Sequence, residues 1–85
     1  MPKETRGYSI RVCRYTPHPS TRIQLVKVIE IGTLRQMQTL ATALLGKYGG
    51  TDVTICRDKR LVCRRNRGIF GEYTRWVHNK HFSYE

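Results

Sequence analysis

Between Gly7 and Tyr15 the side chains alternate. Tyr8, Ile10 and Val12 fall on one side and Ser9, Arg11 and Cys13 on the other, the period of a half-buried strand. Thr16-Pro17-His18-Pro19-Ser20 follows; two prolines spaced by two forbid helix and ladder alike, so this is a turn or short loop. A second strand runs from Arg22 to Ile31. Ile23, Leu25, Ile29 and Ile31 share one face, interrupted by Lys27, while Val26 and Val28 occupy the other. Apolar residues on both faces predict a central strand, or one covered on its second side.

Gly32 breaks this strand. Thr33-Leu34-Arg35-Gln36 has the form of a capping box, a hydroxyl at the N-cap and an amide three residues on. Leu34, Met37, Ala41, Leu44, Leu45 and Tyr48 then recur at helical spacing and make one apolar stripe. Gly49-Gly50 stands where a helix end needs left-handed backbone. Asp52 to Cys56 predicts a third strand with Val53 and Ile55 inward. Asp58-Lys59 predicts a turn, and Arg60 to Arg64 a fourth strand with Leu61 and Cys63 on one side. From Asn66 to Glu85 the chain holds Ile69, Phe70, Tyr73, Trp76, Val77, Phe82 and Tyr84, too many large apolar groups for a free tail. This segment is expected to pack back on the body, across the second face of the sheet over Val26 and Val28. The pattern therefore predicts one α+β domain over residues 1–85, with a small antiparallel or mixed sheet in ββαββ order. One amphipathic helix lies on one face, and the C-terminal aromatic segment folds back on the body.

Composition sharpens this picture through charge. The 85 residues carry sixteen Lys and Arg against six Asp and Glu, a formal net charge of +10. Self-repulsion at that density costs stability, which points to an anionic partner. Arg outnumbers Lys eleven to five, and the planar guanidinium fork binds phosphate and carboxylate bidentately where Lys is a point charge. Arg57, Lys59, Arg60, Arg64, Arg65 and Arg67 crowd one predicted hairpin. Arg11, Arg14 and Arg22 join them if the polar face of the first hairpin belongs to the same sheet face. Such a face would track a phosphate backbone, and Tyr15, Tyr73 and Trp76 are candidate stacking platforms beside it.

Other chemistries find little support. Arg67-Gly68-Ile69-Phe70-Gly71 shares a basic residue, glycine and an aromatic with the RNA-recognition-motif strand. The alternating aromatics of that strand do not follow, and the element order does not fit, so Gly68 and Gly71 are read as a bend. Cys13, Cys56 and Cys63 lack the Cys-x2-Cys grip of a zinc site, and His18, His78 and His81 do not supply it, so no metal and no cofactor is expected. Six carboxylates leave few acid–base pairs, and there is no phosphate-binding glycine loop. The chain is therefore read as non-enzymatic. Free thiols, a polar N-terminus and the lack of any apolar run of about 20 residues suit a cytoplasmic protein without a membrane partner.

Two functions follow as expectations. The first is binding of DNA or RNA through the Arg-rich hairpin, mostly through phosphates and so with little sequence specificity. The second is a short regulator or inhibitor, of the kind phages and mobile elements encode, that sets its Arg surface against an acidic host protein or nucleoprotein machine. A homodimer is a further arrangement this reading admits.

Overall fold

The computed structural model describes residues 7–68 and 70–79. Its elements run β1 (Tyr8–Pro17), β2 (Ser20–Glu30), α1 (Leu34–Tyr48), β3 (Asp52–Arg57), β4 (Arg60–Asn66) and β5 (Val77–His78). The strands form one antiparallel sheet in the order β2-β1-β3-β4-β5. The architecture is α+β: one helix on one sheet face. Among the described residues no helix is long and apolar enough to cross a membrane.

The helix begins and ends for the local reasons its sequence supplies. Thr33 Oγ1 accepts from the Gln36 backbone N–H at 3.2 Å, and Gln36 Oε1 accepts from the Thr33 N–H at 2.9 Å, closing the capping box. At the other end Gly49 adopts φ +64°, the left-handed cap that glycine takes without steric cost. The apolar stripe buries Met37, Ala41 and Leu45. These meet Tyr8, Ile10 and Val12 of β1, Val53 and Ile55 of β3, and Val62 and Cys63 of β4 in a single core. Gly50 is required where the chain leaves the helix. A Cβ there would lie 2.6 Å from Val12 Cγ1 and 2.8 Å from the Cys13 carbonyl oxygen.

Several expectations are corrected. β2 is an edge strand, not a central one. Its cross-strand partners are decisive: Val28 pairs with Ile10 and Val26 with Val12, so both valines turn toward the helix and are half-buried. Ile29 and Ile31 stay largely exposed. The register slips at Leu25, where Val12 pairs with Val26 but Cys13 with Gln24. This bulge reverses the parity of β2, so Ile23 does not share a face with Ile29. A second bulge in β4, where Ile55 pairs with Cys63 and Cys56 with Leu61, leaves Val62 and Cys63 both fully buried and Leu61 exposed.

The described part of the C-terminal segment, up to Asn79, does not lie over Val26 and Val28. β5 adds to β4, at the sheet edge opposite β2. Trp76 is half-buried against the core, Tyr73 is more exposed, and Phe70 is 87% exposed. Ile69, Phe82 and Tyr84 lie outside the described residues.

The β3–β4 hairpin closes through Asp58 and Lys59, at φ +53° and +65°. Two successive positive φ values are the geometry of a tight two-residue hairpin turn, where glycine is strongly preferred at the second position. Holding a lysine there costs about 1 kcal/mol. Lys59→Gly should therefore raise the stability by about that amount, read as a thermal midpoint roughly 4–8 °C higher.

Candidate nucleic-acid interface

The helix lies on one face of the sheet, and among the described residues no element covers the other. The registers fix what stands there. Arg11 pairs with Lys27 on one side and Thr54 on the other, Thr54 pairs with Arg64, and Arg64 with Val77. Directly opposed residues share a face, so one row crosses all five strands as Lys27, Arg11, Thr54, Arg64 and Val77. With neighbouring strands about 4.8 Å apart, the three cations span about 14 Å. Lys27 and Arg64 are exposed, while Arg11 is half-buried with its Nε atom out of solvent and unpartnered. Among the described residues no carboxylate pairs with any of the three. The neighbouring row on one side holds Ile29, Ser9, Cys56 and Leu61, and on the other Gln24, Cys13, Asp52 and Asn66. Among the described residues in these rows the one acid, Asp52, forms an ion pair with Arg22.

Beyond that ion pair β1 and β2 leave the sheet as a two-stranded arm. β3 pairs only with Ser9 to Cys13, while β1 and β2 stay paired out to Pro17 and Ser20. The arm makes the molecule elongated, with extents of 47 × 24 × 20 Å. Its root is braced from three directions. Arg14 Nε donates to the Gly49 carbonyl at 3.4 Å, placing a cation at the negative end of the helix dipole. The Tyr15 N–H donates to Thr51 Oγ1 at 2.9 Å. Arg22 holds Asp52 across the open face. Toward the tip, Thr16 and Thr21 join hydroxyls at 2.7 Å, and Tyr15 and Ser20 at 3.0 Å.

The nine cations expected on one surface are thus divided. Arg11, Arg22 and Arg64 lie on the open face. Lys27, which the hairpin-centred reading passed over, completes their row; its interruption of an apolar run was the available signal. Arg14 is tied to the helix end. Arg57 donates to the Tyr8 hydroxyl at 3.1 Å and lies 5.0 Å over that ring. Lys59 and Arg60 are at the β3–β4 turn, and Arg67 forms a bridge with Tyr73 past the end of β4. Arg65 faces the helix. Its Nη1 donates to Thr42 Oγ1 at 2.9 Å, and its guanidinium sits 5.0 Å from the Trp76 ring and 5.7 Å from the Tyr73 ring. Tyr73 and Trp76 therefore enclose an arginine on the helix side, away from the basic row. Tyr15 alone of the three candidate platforms belongs to the open surface, through its pairing with Arg22. Among the described residues no three of His, Cys, Asp and Glu come together as a metal site requires; His81 lies outside them.

Cys63 is the group whose acidity the fold shifts. Burial pushes its thiol up; a side-chain hydrogen bond from Gln38 acts the other way, and Cys56 adds to the rise. The thiol is thus held neutral, as the core demands. Comparison with protein-family models, curated proteins and solved structures finds no match.

Arg64 and Arg65, adjacent in sequence, should behave oppositely. Arg65→Ala should lower stability by about 1–3 kcal/mol and red-shift the Trp76 fluorescence, whereas Arg64→Ala should leave both nearly unchanged. Equal thermal midpoints for the two variants would contradict this division.

The thiols give a second check. At mildly alkaline pH a small alkylating reagent should modify half-buried Cys56 before buried Cys13 and Cys63, as resolved by peptide mass spectrometry. Because the folded pKa of Cys63 lies above its unfolded value, its contribution is complete below the unfolded thiol range near about 8.5. It is lost as pH rises through the folded value. Cys63→Ala should flatten the decline of the thermal midpoint above that pH.

Proposed function

We propose that this protein binds nucleic acid through the open face of its sheet, by phosphate contacts from Lys27, Arg11 and Arg64. One observation carries the reading. Lys27 and Arg11 stand directly opposite one another, Arg64 continues their row, and no described carboxylate answers any of them. Like charges placed directly opposite across a ladder destabilise the sheet. A row of anions laid over them removes that repulsion and adds charge-assisted hydrogen bonds, so binding and folding become linked. The row crosses all five strands, and Thr54 adds a hydroxyl donor in its middle. Binding of this kind reads charge and spacing and is largely indifferent to base sequence.

Three phosphate contacts set the salt dependence. Affinity for a short duplex should fall about 40-fold between about 50 and 200 mM monovalent salt. Arg11→Ala with Arg64→Ala should flatten that slope and weaken binding at low salt without lowering the thermal midpoint. Bound nucleic acid should also slow alkylation of Cys56, one row away. Capture of partners from a lysate that survives nuclease treatment, with no binding to purified duplex at low salt, would instead favour an acidic protein on this face.

A further inference from the structure

Resting on that reading, we infer that the partner is double-stranded DNA and that the β1–β2 arm enters its major groove. The arm and the basic row form one continuous surface. The bulge at Leu25 restores the parity that keeps Gln24 and Arg22 on the side of Cys13 and Tyr15, which is the side of Arg11. Pro17 and Ser20 continue the same face to the tip. From the Lys27–Arg11 row to the Tyr15–Arg22 row is four residues along β1, or about 13 Å. That is close to the roughly 12 Å width of the B-DNA major groove, which admits a two-stranded ribbon. With the row seated on the phosphates of one groove wall, the arm lies in the groove. Its four residues per strand beyond the sheet, Arg14–Pro17 and Ser20–Ile23, give about 13 Å of reach along that axis, enough to cross the groove.

The chemistry of the arm suits base edges more than phosphates. Its groove-facing side carries Tyr15, Pro17, Ser20 and Arg22, with Gln24 at its root; all but the proline offer hydrogen-bonding side chains, and only Arg22 is charged. Arg22 is about half exposed, and Asp52 holds it from behind. A guanidinium has five donors in a fixed fork, so the outer ones remain free for the guanine edge; Gln24 has the paired donor and acceptor that match adenine. The brace at Arg14, Thr51 and Asp52 and the hydroxyl pairs toward the tip fix the arm before it meets a ligand, which lowers the ordering cost of insertion. Duplex RNA fits poorly, because its major groove is too narrow and deep for side chains to read. A single strand fits less well: among the described residues that the strand registers place on this face Tyr15 is the one aromatic, where successive stacked bases need several rings.

Three ligands of one sequence decide the matter: a DNA duplex, the corresponding RNA duplex and the DNA single strand, titrated by fluorescence anisotropy at one salt concentration. The DNA duplex should bind about tenfold tighter than either of the others. Arg22→Ala with Gln24→Ala should reduce that margin to within about twofold. Selection from a random DNA duplex pool should return a preference over a few base pairs that this double variant loses. Deleting Thr16, Pro17, Ser20 and Thr21 shortens the arm by two residues per strand, keeps its parity, and should have the same effect. Circular dichroism melting confirms that each variant is folded, and the point variant carries the test if the deletion is not. Equal, salt-dependent binding of both duplexes that neither variant alters would overturn the arm's role and leave phosphate binding by the sheet intact. Absence of binding to all three at low salt would remove both.

Discussion

Everything in this molecule follows from one contact, the apolar stripe of α1 against one face of the sheet. Ala41 and Leu45 are fully buried there, and so are Ile10, Val12, Val53 and Ile55 beneath them. A helix of fifteen residues is long enough to cover one face and no more. Among the described residues no second element covers the opposite face. The chain supplies Ser9, Arg11, Thr54 and Arg64 at the middle of that face and leaves Ile29, Leu61 and Val77 toward its margins. The uncovered basic row is thus a consequence of how the core is built, and its composition is where function could be written.

The alternation of β4 shows how tightly the two are joined. Arg64 and Arg65 share a residue type and adjoin in sequence, yet they belong to different parts of the protein. Arg64 meets solvent beside Arg11. Arg65 lies under two aromatic rings and a threonine hydroxyl, where its stem and planar head fill a gap between the helix and the C-terminal segment. Counting charges along the chain cannot separate them; the two-residue period of a strand can, once the register is known.

Local signals were the legible part of the sequence. The capping box at Thr33, the left-handed glycine at Gly49, the helical stripe and the inward alternation of Tyr8, Ile10 and Val12 could all be read from a few neighbouring residues, and the structure contains each of them. What could not be read was long-range. The bulges at Leu25 and Val62 shift parity without a distinctive residue, so the faces of Ile23 and Leu61 cannot be read from alternation. Strand order comes from pairings across the whole chain, so the local pattern tells neither that β2 is an edge nor that β5 joins β4. The basic surface was half legible for the same reason. Its charge was plain, but Lys27, in a different hairpin, joins Arg11 and Arg64 only through cross-strand register.

The separation of faces also bears on how such a protein can change. Side chains in the Lys27–Arg11–Arg64 row lie outside the core cluster, and of the buried residues only Cys13 stands on the open-face side. Substitutions on one side are then nearly additive with those on the other. A lineage could redraw the open-face row, or an engineer could replace it wholesale, while the scaffold keeps the same helix, the same registers and the same braced arm.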